Sequence, residues 1–177
     1  MEDKIYSEYC AILAEELQPA MGCTEPIAVA YCAALARKTL GCLLEDVQVY
    51  ASANIIKNVK SVVVPNTGGQ RGLTVAAAAG IVAGDADAQL QVLAGITPEQ
   101  VEEIAAYEKR GIVHVHPSDK DFIFDIQVRV SGGGHTAFAE IAGFHTNVIR
   151  LEQDGAVLLD RPYTEEGPKH ATDRSLL

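Results

Sequence analysis

Apolar residues recur at helical spacing over the first forty positions of the chain. Between residues 3 and 18 the residues Ile5, Tyr9, Ile12, Leu13 and Leu17 lie at helical spacing, which predicts a first amphipathic helix. A second helix is predicted from about Thr24 to Leu40, and Gly41 ends it. Its segment IAVAYCAALA is apolar all round, which predicts that this helix is buried on every side.

The middle of the chain mixes short strand-like and helical patterns. The segments VQVYASA and VKSVVVP are rich in β-branched residues and predict two short strands on either side of NIIKN. LTVAAAAGIVAG predicts a helix of small residues. In TPEQVEEIAAYEKRG, a capping box of Thr97 and Gln100, with Pro98 in the first turn, predicts the start of a further helix, and Gly111 closes it.

From Ile112 onwards the periodicity changes to that of strands. Five alternating or β-branched segments follow, joined by short glycine and aspartate turns: IVHVHP, FIFDIQVRV, HTAFAEIAGF, TNVIRLEQ and AVLLD. They predict an antiparallel meander, with Asp154-Gly155 as the best hairpin turn. The fold class is therefore α+β, with N-terminal helices packed with a mostly antiparallel sheet formed largely by the C-terminal third. Residues 1–160 are expected to form a single domain, and residues 161–177 a polar linker leading to a missing C-terminal half.

Composition and charge narrow the partners. Hydrophobic residues make up 48% of the 177 residues, which is typical of a folded chain. The formal net charge of −10 argues against binding to nucleic acid, which needs a basic face. No apolar run reaches the roughly 18 residues of a membrane span, and the N-terminus lacks a signal-peptide pattern, so a cytoplasmic protein is expected. Its four irregularly spaced cysteines then read as free thiols rather than zinc ligands.

Cys23, in the stretch QPAMGCTEPIAVAYC, lies between a glycine and the predicted start of the second helix. If Thr24 is the N-cap, the positive end of the helix stabilises a thiolate at Cys23 and lowers its pKa to roughly 7–8, where the thiol can act as a base. Glu25 would oppose this if it faced the sulfur, so it is expected to point elsewhere. The alternative is a small buried residue in a tight turn.

Two loops carry side chains suited to an anion. Lys57 and Asn58 lie in SANIIKNVK, and Asn66, Thr67 and Arg71 lie in the glycine-rich VPNTGGQRG before a helix. Free backbone amides and a guanidinium there favour a carboxylate or phosphate, although the spacing matches no known phosphate-binding loop. An ordinary turn remains the alternative.

Histidines provide two further candidates. His114 and His116 share one face of a predicted strand, and this spacing occurs in zinc and iron sites, although paired histidines are common without metal. In GGGHTAFAEIAGFHTN the pair His-Thr occurs twice, at His135 and His145. His145 and Asn147 are candidates for substrate contact, with turn chemistry as the alternative.

Four segments in order, MGCTEPIAVAY, SANIIKNV, VPNTGGQRGL and GFHTNV, resemble the N-terminal half of the iron–sulfur L-cysteine desulfidase family. That family is related to the α-type domain of iron–sulfur L-serine dehydratases. The resemblance implies a lyase that removes the α-proton and a β thiol or hydroxyl from L-cysteine or L-serine and yields pyruvate and ammonia. It implies that Cys23 is the proton acceptor.

The same resemblance implies the remaining parts of the site. Thr24, Lys57, Asn58, Asn66, Thr67, Arg71, His145 and Asn147 would hold the substrate. A 4Fe-4S cluster would act as Lewis acid in the full-length enzyme. Its three cysteine ligands would lie outside this chain, so no metal is expected on the fragment, which alone would be nearly inactive. The expected partners are an amino acid, the missing half or a partner subunit, and a second copy in a homodimer.

Two alternatives from other classes stay open. The first is a non-catalytic amino-acid-binding or regulatory module, because the chain lacks the family's iron ligands. The second is a metal-dependent hydrolase that uses His114 and His116. The sequence does not decide between L-cysteine and L-serine as the substrate.

Overall fold

The computed structural model describes residues 2–17, 19–42, 44–163, 172 and 174. Residues 20–163 form one compact unit. The first helix, α1 (Glu2–Glu16), belongs to a separate unit, in which Glu15 accepts a hydrogen bond from the amide of Thr172 and Glu16 pairs with Arg174. Most of the predicted linker, residues 161–177, lies outside the described residues, and the single domain over 1–160 stays a prediction.

The first half of the larger unit is mostly helical, with one strand between the first two of its helices, and strands follow one another in the second half. The helices are α2 (Thr24–Leu40), α3 (Ala53–Val59), α4 (Leu73–Ala83) and α5 (Pro98–Glu108), with a 3₁₀ segment at Ala86–Gln91. The strands are β1 (Asp46–Ala51), β2 (Val113–Pro117), β3 (Asp125–Gly132), β4 (His135–Ala142), β5 (Val148–Gln153) and β6 (Ala156–Asp160). The predicted α+β class is confirmed.

The strands form one sheet in the order β2-β1-β3-β4-β5-β6. Strands β3 to β6 pair antiparallel with their neighbours in sequence, as predicted for the last four segments of the meander. The first predicted segment, IVHVHP, forms β2 and is not part of the meander, because it pairs parallel with β1 at the edge of the sheet. The β5–β6 turn is formed by Asp154 and Gly155, both at positive φ, as predicted. Strand β1 lies between β3, antiparallel, and β2, parallel. The sheet is therefore mixed but mostly antiparallel.

Helix α2 forms the centre of the core, as its all-round apolar pattern predicts. Ile27 to Ala34 are all buried, between strands β3 and β4 on one side and α4 on the other. The two helices approach closely where Gly80 faces Ala30: a Cβ added at Gly80 would lie 2.0 Å from the Ala30 carbonyl oxygen. This packing fixes where α2 begins, and so the position of Cys23.

The segment on either side of residue 59 differs from the prediction. NIIKN lies within helix α3, and the strand predicted for VKSVVVP is wrong, since only an isolated bridge joins Val63 to Arg71. Ile55 and Val59 are buried at a spacing of four, which suits one face of a helix. Burial of this face decided the local structure over β propensity.

A cluster of buried polar side chains lies on the face of the sheet that points away from α2. Asp125 and Glu140 are 0% and 1% exposed. Glu140 forms an ion pair with Lys120, while Asp125 accepts hydrogen bonds from Ser118 and from Gln127, the latter at 2.8 Å. Burial raises the pKa of Glu140, and the Lys120 ammonium opposes this rise. The buried carboxyl thus depends on a single half-exposed lysine.

Within the described part of the chain, no helix has the length and apolar character needed to cross a membrane.

Candidate functional site

The candidate site lies at the N-terminus of α2. Cys23 is the N-cap residue, with extended backbone angles of φ −62° and ψ 122°, and the helix begins at Thr24. The prediction that Thr24 caps the helix is therefore wrong, and no side chain caps this end. Pro26 lies in the first turn, where its missing N–H costs nothing. The Cys23 side chain is exposed, so it is not sealed in the core.

The Cys23 thiol faces the Glu25 carboxylate. Its Sγ donates a hydrogen bond to Oε2 of Glu25 at 3.1 Å. Partial burial, this hydrogen bond and the negative charge of Glu25 together raise the pKa of the Cys23 thiol, while the backbone amide of Glu25 lowers it. The expectation of a lowered pKa, with Glu25 turned away, is therefore wrong. The helix end does act on the sulfur, but partial burial and the neighbouring carboxylate together outweigh it.

Two more side chains converge on Glu25 from other elements. Asn58, near the end of α3, donates to Oε1 at 3.4 Å. His145, in the turn after β4, lies close enough for its charge to lower the pKa of Glu25, behind the larger effect of the Cys23 hydrogen bond. Burial lowers the pKa of His145, and Glu25 opposes this. The structure thus brings together Cys23, Glu25, Asn58 and His145, here named the Cys23 cluster.

His145 is held against the sheet by an aromatic contact. Its ring meets Phe124 edge to face, with the ring centroids 4.7 Å apart. Its Nε2 atom is buried, and the structure shows no hydrogen-bond partner for it. A buried nitrogen without a partner costs roughly 1–3 kcal/mol, so such atoms are uncommon outside functional sites.

The glycine-rich loop lies beside the Cys23 cluster, as predicted, although most of its polar side chains hold the loop itself. A Cβ added at Gly22 would lie 3.3 Å from the Pro65 ring. Asn66, at a φ of 59°, donates to the carbonyl of Leu93 at 2.9 Å. Thr67 is fully buried and donates to the carbonyl of Val64 at 2.8 Å. These two hydrogen bonds hold the loop in shape.

The other residues predicted to bind the substrate differ in whether they contact the Cys23 cluster. Arg71 is exposed and donates to the carbonyl of Ser61 at 2.7 Å. Asn147 donates to the carbonyl of Ala142 at 2.8 Å, which is turn chemistry. Lys57 is exposed on α3, and the Thr24 hydroxyl lies 3.5 Å from Oε2 of Glu25. Of the predicted substrate-binding residues, only Thr24, Asn58 and His145 contact Glu25 or act on its pKa.

The histidine motifs of the second half each have a local partner. His116 lies 2.6 Å from Oε1 of Gln48 and stacks on Tyr50, and His114 lies 3.8 Å from Asp46. His135 pairs with Asp154 at 2.8 Å. Among the described residues there is no group of three or more histidine, cysteine, aspartate or glutamate side chains that could hold a metal ion.

Glu25 is the member of the cluster that sequence reasoning did not assign to the site. Its position two residues after Cys23 was visible, and so was its ability to oppose a thiolate. A helical first turn leaves the direction of its side chain open, so the sequence alone did not show that the carboxylate reaches back to the sulfur. The hydrogen bonds from Cys23 and Asn58 decide that direction.

Comparisons with known proteins give a family name without an activity. A protein of Desulfitobacterium hafniense is 42% identical over 176 residues, which are 99% of this chain and 41% of that protein. Proteins of Treponema denticola and Fusobacterium nucleatum are each 39% identical, over 97% and 100% of this chain and 40% and 42% of their own lengths. All three are named UPF0597 proteins. The chain thus spans about two fifths of these curated relatives. No family model and no solved structure matches it.

These relatives correct the family assignment made from the sequence. The prediction of an N-terminal half from the iron–sulfur L-cysteine desulfidase family is wrong, because relatives matching almost the whole chain are named UPF0597 proteins. That name states no substrate and no cofactor. Any activity must therefore be argued from the Cys23 cluster.

Proposed function

We propose that the Cys23 cluster is the proton-transfer part of the active site of a carbon–sulfur or carbon–oxygen lyase. The substrate would be a small amino acid with a β thiol or hydroxyl, L-cysteine or L-serine. The observation that carries the proposal is the exposed Cys23 thiol hydrogen-bonded to a carboxylate at the tip of a buried helix. An exposed thiol at a helix N-terminus is typical of reactive cysteines, whereas cysteines with a packing role are buried and inert.

The chemistry asked of this chain is one proton transfer. The Cys23 thiolate takes the proton from the substrate α-carbon, and the electrons of the broken C–H bond form the double bond to the β-carbon. The leaving group departs with the electron pair of its own bond, and the enamine then hydrolyses to pyruvate and ammonia. A base whose pKa lies near the working pH raises the rate of such a step about 10²- to 10⁴-fold.

A 4Fe-4S cluster that polarises the leaving group would be held by ligands outside this chain. The thiol of Cys32 donates to the carbonyl of Ala139 at 3.4 Å, and the thiol of Cys42 donates to the carbonyl of Gly132 at 3.2 Å. No metal-binding group occurs in the described ranges of the chain. The described residues of this chain therefore do not fit an iron–sulfur cluster. The second half of the site would come from the remainder of the polypeptide or from a partner subunit.

The test uses the full-length protein, reconstituted anaerobically with iron and sulfide. Sulfide and pyruvate are measured from L-cysteine, and pyruvate from L-serine. We expect Cys23→Ser to lose at least about 10²-fold in kcat, because the base is removed. Cys42→Ser is the matched control, since Cys42 is also exposed but lies outside the Cys23 cluster, and it should keep its activity. Full activity in Cys23→Ser would show that this thiol is not the base.

A second candidate is a non-catalytic module that binds an amino acid. The raised pKa of Cys23 favours it, because a thiol protonated at neutral pH is a poor base. Calorimetry of the full-length protein with L-serine and L-cysteine distinguishes the two. Tight binding without pyruvate supports the module, and turnover excludes it.

A further inference from the structure

Glu25 carries a negative charge that forms no ion pair with a lysine or arginine side chain among the described residues. The Cys23 hydrogen bond is the largest cause that lowers the pKa of the Glu25 carboxyl, so the group is ionised at neutral pH. None of the ion pairs in the described part of the chain includes Glu25. Its donors are a thiol, a hydroxyl and an amide, at 3.1, 3.5 and 3.4 Å.

These donors leave room for a stronger partner. Two of the three contacts lie at the long end of the hydrogen-bond range, while charge-assisted bonds from an ammonium group are typically about 2.7–2.9 Å. In L-cysteine and L-serine, the proposed substrates, the ammonium group is the one cationic part. The acidic balance of the chain, with a formal net charge of −10, also favours a cation at this carboxylate.

We propose that Glu25 binds the ammonium group of the amino-acid substrate and that this binding turns the Cys23 thiol into a base. The choice of an amino acid as ligand rests on the proposed function. Before binding, the thiol donates to the carboxylate and keeps its proton. Once the ammonium group neutralises the carboxylate, the S–H bond ionises and its proton passes to water. The thiolate that remains lies beside the bound substrate.

The groups that face this pair are few. Glu25 itself comes from α2, the titratable His145 from the turn after β4, and the uncharged Asn58 from α3. The Glu25 backbone amide at the helix end favours the thiolate. With the carboxylate neutralised, this amide and the bound cation both act in the direction that releases the proton.

The experiment measures the pH midpoint of Cys23 alkylation by iodoacetamide in the full-length protein, read from the Cys23 peptide by mass spectrometry. L-Alanine is the probe, because it carries an ammonium group but no β leaving group. Propionate is the matched control, because it lacks only the ammonium group. We expect saturating L-alanine to lower the midpoint by about one pH unit, equal to about tenfold faster alkylation below the midpoint, and propionate to leave it unchanged.

The variant Glu25→Gln tests whether the Glu25 carboxylate sets the midpoint and binds the ammonium group. Without the carboxylate the midpoint should fall by a similar amount in the absence of ligand, and L-alanine should no longer move it. Glu103→Gln, an exposed glutamate on α5, is the charge-matched control and should behave like the unaltered protein. The midpoint is used because a ligand that only shields the sulfur slows alkylation at every pH without moving it.

The outcomes separate this inference from the proposed function. If L-alanine leaves the midpoint unchanged, or if propionate lowers it equally, Glu25 does not bind the ammonium group. If L-alanine lowers the midpoint but the full-length protein forms no pyruvate, the ammonium site stands and the lyase does not. If the full-length protein forms pyruvate but L-alanine leaves the midpoint unchanged, the lyase stands and the ammonium site does not.

Discussion

At the scale of single residues, the chemistry of this protein depends on how charges are paired. Cys23 has both a helix end and a carboxylate as neighbours, and partial burial together with the carboxylate raises its pKa. Hydrogen bonding and a charge at about 3 Å outweigh the partial charge of a helix terminus, which contributes at most about 2 kcal/mol. Glu140 presents the opposite case, a buried carboxyl whose charge is compensated by one cation, Lys120.

Replacing Lys120 with methionine tests that pairing through its pH dependence. Without the ammonium group, the pKa of Glu140 rises further above its unfolded value. The folded state then holds its proton more tightly than the unfolded state, so stability falls as pH rises through this interval. We expect Lys120→Met to lose about 1–3 kcal/mol near neutral pH, less than a fully buried pair because Lys120 is 38% exposed, and little near pH 4.

Urea unfolding at both pH values measures this loss. Lys38→Met is the matched control, because Lys38 pairs with Asp87 on the surface with side chains 55% and 80% exposed. Exposed pairs contribute about 0–1 kcal/mol, so this variant should change little at either pH. An equal loss at both pH values in Lys120→Met would mean that Lys120 acts through packing rather than charge.

At the scale of elements, the contact between α2 and α4 sets the position of the site. The two helices approach without side chains between them at Gly80, and Gly84 lies over the Cβ of Ala34 one turn later. Small residues permit this approach, since any Cβ at Gly80 would overlap the backbone of α2. The start of α2, with Cys23 as its N-cap, is thereby fixed relative to the glycine-rich loop that precedes α4.

Gly80→Ala is expected to destabilise the fold, although alanine favours helices by about 1 kcal/mol over glycine. Its Cβ would lie 2.0 Å from a carbonyl oxygen, so the helices must separate, and overpacking of this kind costs about 1–3 kcal/mol or more. The measurement is the free energy of unfolding in urea. Gly95→Ala, where a Cβ meets open space, is the matched control and should stay within about 0.5 kcal/mol. Similar losses in both variants would contradict the close crossing.

At the scale of the whole molecule, the sheet formed by the described residues has two edge strands, β2 and β6, and a centre whose strands pair on both sides. Strands β3 and β4 pair on both sides and pack against α2, whereas β6 pairs on one side only. On β6, Val157 and Leu158 are 50% and 58% exposed. A strand with an unpaired edge opens at a lower free-energy cost than a central one.

Hydrogen exchange followed by mass spectrometry tests this difference in the full-length protein. The amides of β3, β4 and α2 should exchange slowest, and those of β6 fastest among the strands. The expected ratio is at least about tenfold, since 1.4 kcal/mol of local opening energy corresponds to a factor of ten. Slow exchange throughout β6 would show that its open edge is covered in the full-length protein.

The sequence by itself determined the elements whose signals are local. Helix α2 appears with the predicted bounds because its apolar run and Gly41 act within the helix, and α5 begins with the predicted capping box of Thr97 and Gln100. The meander follows from alternation and from the Asp154-Gly155 turn. These signals need no distant partner, so they can be read from the chain.

Only the tertiary structure decided what distant contacts control. Burial of Ile55 and Val59 placed NIIKN in a helix, and the strand predicted for VKSVVVP is reduced to an isolated bridge at Val63. Strand β1 entered the sheet between β3 and β2 through pairings at long sequence separation. The site follows the same rule. Cys23 was visible as a candidate, but its pKa depends on where the Glu25 carboxylate points, and packing of α2, α3 and the turn carrying His145 fixes that direction. Side-chain orientation depends on neighbours remote in sequence, which a local pattern does not encode.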